Sequence, residues 1–401
     1  MRLQPFPWAQ SGTWLNLKKI HQTHSRNYPV RCEQSTVKAN IGLCMIVRNE
    51  AAVLERCLNS LRQHISSWTI VDTGSEDNTP DIASRSLEGI PGAVHHRHWV
   101  DFGHNRSEAL ALNRSQCDYH LVVDADDRLE FPANFSWPVL DLDAYYLGIQ
   151  DGDVHYRRLQ LMATRLPWRY VGVLHEYPDC DQDYSQGVLE SPTYRRHGSQ
   201  GARSRDPKAY HNDAKVLAEA LSKEPENTRY AFYLAQSLRD AGLIQDAAAA
   251  YERRGEMEGW IEERYCAWLQ RGRLLEKTGG SPAEIRSAWL NAYQLVPLRA
   301  EALVELARYH RERNEWVLAY LFAGQAVPLT VPSDGLFVEP EAYTWKSRDE
   351  RAIAAYYTDR FLEALELTRA LLADSATPLS QRSRLEANVR FCLLELAKIH
   401  N

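Results

Sequence analysis

Four carboxylates follow one short apolar run, and their types and spacing could bind a metal ion. Residues 121–123 (LVV) suit a buried strand, and Asp124, Asp126, Asp127 and Glu130 come directly after it. Clustered carboxylates repel one another unless a cation lies between them. Carboxylate oxygens are the ligands that hard Mg²⁺ or Mn²⁺ ions prefer, and one aspartate can share such an ion with phosphate groups. The pattern is therefore compatible with a divalent-cation site, but by itself it equally fits a solvated turn with helix-capping aspartates.

Strand-like and helical runs alternate around this cluster. Residues 41–47 (IGLCMIV) predict a buried strand and residues 50–63 an amphipathic helix, after which a second strand ends near Asp72. This alternation predicts an α/β fold with a mostly parallel sheet, whose ligands bind at the carboxyl ends of the strands. The acidic cluster lies at such an end.

The composition divides the chain into three parts. Residues 1–40 form an N-terminal extension, residues 41–205 the α/β domain and residues 206–401 an all-α domain. In the last part, apolar and small residues recur with start points near 228, 266 and 300, close to the ~34-residue period of tetratricopeptide repeats. A degenerate fourth copy uses Ala352 and Ala364. An irregular helical bundle is the alternative.

The overall composition excludes several functions. With 47 basic and 53 acidic residues, the chain has a net charge of −6 and gives no indication of the basic surface that binds nucleic acids. No segment reaches the roughly 18 apolar residues of a membrane span, and the N-terminus lacks a signal-peptide pattern, so we expect a cytoplasmic protein. The seven cysteines include no CxxC pair. The glycine-rich fingerprints of dinucleotide and ATP sites are absent as well.

Four segments in fixed order resemble the family-2 glycosyltransferases of the GT-A fold. They are CMIVRNEAAVLERCLNSL, VDTGSEDNT, the arginine of DFGHNRSEAL, and VVDADD, and the resemblance covers residues 41–205. The overall plan is similar to bacterial members with C-terminal tetratricopeptide-like repeats, such as the sublancin-type peptide S-glycosyltransferases. The resemblance implies a metal-dependent, inverting transfer of a sugar from a nucleotide-diphosphate sugar, most simply a UDP-sugar.

The resemblance also assigns roles to residues at the ends of the predicted strands. Asp126 is the first metal ligand, Asp124 contacts the ribose, and Asp72 accepts a hydrogen bond from uracil. The remaining nucleotide contacts fall on Ile46, Arg48, Glu50 and Arg106. From the residues alone, Asp72 could equally form an Asx turn, and the two arginines could be solvated surface residues.

An inverting transfer needs a general base that takes the acceptor's proton. Glu176, which follows the apolar segment VGVL, stands where the family has this carboxylate, and Asp151 and Asp153 are the second choice. By the same resemblance, His197 is a second metal ligand, and Arg203 and Lys208 meet the diphosphate. A surface histidine remains the alternative for His197.

Two classes of function follow. The first is a glycosyltransferase that uses Mn²⁺ or Mg²⁺ and whose repeats help to bind a peptide or protein acceptor, because repeat arrays offer extended binding surfaces. A glycan or lipid-linked acceptor is a variant of this hypothesis. The second is a repeat-based scaffold that carries an inactive nucleotide-binding domain.

Overall fold

The computed structural model describes residues 39–152, 154–196, 201, 206–333 and 335–399. The chain separates into two compact units, with the division between Pro225 and Glu226. We call described residues 39–225 the sheet unit and described residues 226–399 the repeat unit. Composition had placed the domain boundary between residues 205 and 206, whereas this division falls after one further helix. Most of the predicted extension, residues 1–38, lies outside the described residues.

The sheet unit alternates strands and helices in its first half and consists mainly of strands in its second. Its elements are β1 (Ile41–Val47), α1 (Leu54–Leu61), β2 (Ser67–Asp72), α2 (Thr79–Ser86), β3 (Gly92–His96), α3 (Phe102–Asn113), β4 (Tyr119–Val122), β5 (Arg128–Glu130), β6 (Ala144–Asp151), β7 (Val154–Ala163), β8 (Arg169–Val171), β9 (Tyr177–Asp179), β10 (Gln186–Arg195) and α4 (Ala209–Lys223).

One mixed sheet organises this unit and confirms the predicted α/β fold. The strand order is β3-β2-β1-β4-β7-β6-β10-β5, and β8 pairs with β9 in a separate hairpin. The first four strands are parallel, β7 is antiparallel to both β4 and β6, and β10 is parallel to β6. Strands β1 and β2 are buried almost throughout, as expected for apolar runs covered on both faces. The carboxyl ends of β2, β1 and β4 therefore meet at one edge.

Two local predictions for the sheet unit were wrong. Helix α1 is shorter than predicted at both ends: it begins at Leu54, because Val53 before it departs from helical geometry with φ −126°, and it ends at Leu61. The predicted strand VGVL is a strand only up to Val171, and a turn with positive φ at Gly172 follows.

Every regular element in the described part of the repeat unit is helical. Its helices are α5 (Thr228–Asp240), α6 (Ile244–Glu256), α7 (Ile261–Lys277), α8 (Pro282–Leu295), α9 (Glu301–Glu312), α10 (Trp316–Ala326), a π-helical turn (Ala342–Lys346) that leads into α11 (Ser347–Tyr356), α12 (Phe361–Ala373) and α13 (Arg382–Ile399), with a short 3₁₀ turn (Leu379–Gln381) before α13.

Successive helices pack against one another, which confirms the predicted array of helix pairs. Small residues at the predicted repeat positions, such as Ala235, Ala247 and Ala307, are fully buried. Gly272 on α7 lies against the Trp289 ring on α8, so closely that a Cβ atom there would collide with it. These small residues allow the helices to approach. Among the described residues, no helix has the length and apolar character that crossing a membrane requires.

Candidate active site

The turns after β1 and β2 are tied together at the carboxyl edge of the sheet. The N–H of Asn49 donates to Ser75 Oγ (3.0 Å), and the N–H of Glu76 donates to Asn49 Oδ1 (2.8 Å). The N–H of Glu50 donates to Thr79 Oγ1 (2.8 Å). These bonds position the predicted nucleoside-contacting segment beside the end of β2.

Asp72 ends β2 and is only 2% exposed. Its Oδ1 accepts a hydrogen bond from the Ser75 N–H (3.1 Å), and its Oδ2 lies 3.0 Å from His96 Nδ1. The parallel register places His96 beside Asp72. The turn-forming role that the sequence left open is therefore observed, and a contact with a base stays a prediction.

Arg106 joins two of the predicted site residues. Its Nη2 donates to Asp124 Oδ1 (2.5 Å) and its Nε donates to Glu176 Oε1 (2.7 Å), and its side chain is only 13% exposed. Burial would lower the pKa of Arg106, but the two carboxylates outweigh it and raise that pKa well above its usual value. The structure thus brings together a predicted ribose contact, a predicted nucleotide contact and the predicted base.

The close approach of α3 to the turn after β8 makes this meeting possible. A Cβ atom on Gly103 would collide with the carbonyl oxygen of Gly172, so glycine is needed there. Ser107 Oγ accepts a hydrogen bond from the Tyr170 N–H (2.8 Å). Since these contacts flank Arg106 on α3, they hold its guanidinium beside the β8–β9 hairpin that carries Glu176.

Two residues that the sequence reasoning missed complete the surroundings of Asp124. Arg158 Nη2 lies 3.2 Å from Asp124 Oδ2, and the Tyr194 hydroxyl accepts a hydrogen bond from the Asp124 N–H (3.0 Å). Burial would raise the pKa of Asp124, but Arg106 and Arg158 outweigh it and hold that pKa well below its ordinary value. The antiparallel register of β4 with β7 runs as far as Leu121 opposite Leu161, and the two chains make the contact between Asp124 and Arg158 just beyond this pairing.

Asp126 differs from its neighbour in its surroundings. Burial and the nearby charge of Asp124 raise the pKa of Asp126. Gly201 lies so close that a Cβ atom there would be 2.7 Å from Asp126 Oδ2. No hydrogen bond to its carboxylate from another described side chain is found, whereas its backbone carbonyl accepts a bond from Arg56 (2.7 Å). A half-buried carboxylate in repulsive surroundings has the donor chemistry that suits a hard cation.

The other predicted residues are more dispersed. Ile46 is half-buried against the core, and Arg48 is exposed. Lys208 is exposed at the start of α4. Among the described contacts, none joins its side chain to Arg106, Asp124 or Glu176. Asp151, the alternative base, pairs with Arg196 (3.0 Å). The remaining predictions lie outside the described residues: Asp153, His197 and Arg203.

Comparison with known proteins finds one matching family model and a relative that spans most of the chain. Residues 43–132 match the family model "Glycosyl transferase family 2". A TPR repeat-containing protein of Synechococcus elongatus is 30% identical over 316 residues, which is 72% of this chain and 75% of that protein.

Similar solved structures are more distant. S. aureus TarS 1–349 in complex with UDP-GlcNAc has a TM-score of 0.32 at 14% identity and covers 62% of this chain and 90% of that one. A tetratricopeptide repeat protein from Parabacteroides merdae has a TM-score of 0.35 at 15% identity and covers 48% and 73%. The identity to the cyanobacterial protein places this chain in the family of that TPR repeat-containing protein, with a glycosyl transferase family 2 domain at residues 43–132.

Proposed function

We propose that the protein is a metal-dependent, inverting glycosyltransferase that moves a sugar from a UDP-sugar to an acceptor. The observation that carries this proposal is the ion-pair group of Arg106, Asp124 and Glu176, which adjoins the carboxyl edge of a family-2 glycosyltransferase domain. In this group the Arg106 guanidinium joins Asp124, the proposed contact of the sugar donor, to Glu176, the proposed base.

Two kinds of carboxylate serve the sugar donor: those that accept hydrogen bonds from the nucleoside and one that binds the metal ion. Asp72 and Asp124 offer carboxylate oxygens that can accept hydrogen bonds from a base N–H and from ribose hydroxyls. Asp126 is the ligand for Mn²⁺ or Mg²⁺, which neutralises the charge of the departing diphosphate when bound. Among the described residues, no group of three His, Cys, Asp or Glu side chains could hold a metal ion. The phosphates of the donor would supply the further ligands, with His197 as the candidate second protein ligand.

On the acceptor side, Glu176 takes the proton of the nucleophile. Its Oε1 receives the Arg106 hydrogen bond, which leaves Oε2 as the oxygen for an incoming hydroxyl or thiol. Glu176 lies in the connection of the β8–β9 hairpin, where the pairing of the two strands and the hydrogen bond from Arg106 orient it. This preorganisation is what general-base catalysis requires.

The acceptor we propose is a peptide or protein side chain, in the manner of the sublancin-type enzymes, with glycans as the second choice. The repeat unit supports this choice, because arrays of helix pairs present long surfaces to extended chains. Treating a cell lysate with the protein and isotope-labelled UDP-sugars, followed by mass spectrometry, identifies the acceptor and the modified atom.

A donor-turnover assay tests the proposal. The full chain is incubated with a panel of UDP-sugars and Mn²⁺ or Mg²⁺, and release of UDP is measured. We expect metal-dependent release, abolished together with UDP–Mn²⁺ binding in Asp126→Ala. Glu190→Ala, which removes a carboxylate that is 84% exposed in the same unit, is the matched control and should behave as wild type. Unchanged calorimetric affinity for UDP–Mn²⁺ in Asp126→Ala refutes the metal assignment.

A further inference from the structure

Two consecutive apolar residues of the sheet unit, Trp99 and Val100, face solvent on the segment between β3 and α3. Their exposed fractions are 40% and 55%. Hydration of apolar surface is unfavourable, yet hydrophobic residues scattered singly over a surface are ordinary. Here the two residues are adjacent, and the fold holds their backbone in one place. None of the predictions made from the sequence assigned them a role.

A buried asparagine fixes this segment. The Asn105 side chain on α3 is fully buried, and its Oδ1 accepts a hydrogen bond from the Val100 N–H (3.0 Å). Its Nδ2 donates to the His98 carbonyl (3.0 Å). The Trp99 ring packs edge-on against the Phe102 ring, with centroids 4.8 Å apart. Since a buried polar group with its hydrogen bonds made specifies one conformation, the two apolar side chains are held at the surface by the fold.

The same segment adjoins the loop that carries the candidate base. The Phe102 N–H donates to the Val173 carbonyl (3.4 Å). Gly172, beside Val173, lies so close to the base that a Cβ atom there would be 3.5 Å from Glu176 Cα. These contacts place Trp99 on the order of 10–15 Å from Glu176, which an extended peptide spans with about three or four residues.

The surroundings of Trp99 favour an apolar side chain as its partner. The charged neighbours already have other contacts: Arg97 pairs with Glu108 (2.7 Å), and the Asp101 carboxylate caps α3. A sugar ring that stacks on tryptophan needs hydrogen-bond partners for its hydroxyls beside the indole, whereas the side chain that follows here is the exposed Val100. A large apolar side chain needs only apolar surface.

We propose that Trp99 and Val100 bind one large apolar side chain of a peptide acceptor, three or four residues from the side chain that receives the sugar. The proposal rests on the peptide acceptor of the proposed function and deepens it by naming a feature of that peptide. This segment selects the peptide, and Glu176 takes the proton. The alternative occupants are a sugar ring and a second copy of this chain, and the test separates them.

Fluorine NMR on the full chain labelled with 5-fluorotryptophan observes this site directly. Trp99→Phe identifies the Trp99 resonance among those of the 11 tryptophans. The probes are the acetylated and amidated pentapeptide Gly-Gly-Phe-Gly-Gly, the same peptide with alanine in place of phenylalanine, and methyl β-glucoside. We expect the phenylalanine peptide to shift the Trp99 resonance at millimolar concentration. The alanine peptide should need roughly tenfold more, because its side chain buries less apolar area.

A matched pair of variants tests the role of the neighbouring valine. Val100→Ser should raise the concentration of phenylalanine peptide that gives half the shift by about threefold, because it removes apolar surface from the site. Val139→Ser changes another exposed valine of the sheet unit and should leave that concentration unchanged.

UDP release with Mn²⁺, measured on the same protein, separates this site from sugar transfer. Release of UDP without a shift of the Trp99 resonance overturns this proposal and leaves the proposed function standing. A shift without release supports the peptide site and refutes the transfer.

Three further results overturn the proposal. The first is a shift of the Trp99 resonance by methyl β-glucoside at lower concentration than by the phenylalanine peptide. The second is an equal response of Val100→Ser and Val139→Ser. The third is a Trp99 resonance that shifts with protein concentration in the absence of peptide, because a second copy of the chain then covers the site.

Discussion

Replacing Arg106 by methionine tests whether this arginine holds the candidate active site together. Methionine keeps much of the length and packing of the side chain but removes the guanidinium that pairs with Asp124 and Glu176. Both carboxylates would then lie in a largely buried site without that cation. The variant should fold and be less stable in the sheet unit.

The size of the effect follows from the contacts. Removing one partner of a buried ion pair costs about 3–5 kcal/mol, because the other charge stays buried. Asp124 retains Arg158 at 3.2 Å, so the expected loss of unfolding free energy lies near the lower end of this range. A loss of about 3 kcal/mol corresponds to roughly a hundredfold increase in the equilibrium constant for opening of the sheet unit.

Hydrogen exchange measured by mass spectrometry on the full chain is the suitable assay, since a single unfolding midpoint is not well defined for a chain of two units. Peptides that cover β1 and β4 report the opening of the sheet unit. Arg169→Met is the control: it removes a two-bond pair with Asp181 on the neighbouring hairpin, but both partners are exposed, so protection should change far less.

The pH dependence gives a second test of the same pair. The pKa of Asp124 is lowered in the folded chain, so the pair stabilises the fold fully above the ordinary aspartate value of about 3.9 and loses that contribution as pH falls toward the folded value. The difference in unfolding free energy between wild type and Arg106→Met should therefore be nearly full from pH 7 down to about pH 4 and should shrink only as the pH falls further, below the ordinary aspartate pKa of about 3.9. Equal protection of Arg106→Met and Arg169→Met at pH 7, or a difference that widens as the pH falls below about 3.9, contradicts the reasoning.

Two further changes address the chemistry and the repeats. Glu176→Gln keeps side-chain size and should leave UDP-sugar affinity within a few-fold, while transfer falls by roughly 10²–10⁴ in steady-state assays; near-normal turnover with a hydroxyl acceptor at pH 7 would place the base elsewhere, with Asp151 next to test. Gly272→Ala should destabilise the repeat unit by about 1–3 kcal/mol, because the new methyl group meets the fully buried Trp289 ring. Hydrogen exchange over α7 and α8 measures this loss, and unchanged protection would mean that the ring can move aside.

The sequence predicted best the features that depend on local periodicity. The apolar runs at β1 and β2, the polar residues at their ends and the helix pairs of the repeat unit are all apparent from spacing. The less regular features depended on contacts between distant residues. Helix α1 begins only at Leu54, because the residues before it form a turn that bonds to the distant side chains of Asp77 and Thr79, and because Val53 adopts φ −126°.

The candidate site shows the same division between local and distant information. Asp124, Glu176 and Arg106 could be selected because the family resemblance assigns roles to their positions, and Asp124 and Glu176 also follow apolar segments. Arg158 had no such signal: its strand also carries Arg157, and only the contact with Asp124, beside the antiparallel pairing of β7 with β4, distinguishes the two. That pairing could not be derived from alternation, which predicted parallel neighbours. Since Arg158 and Arg106 bind different oxygens of Asp124, the charge state of this carboxylate depends on a strand whose partner the sequence did not reveal.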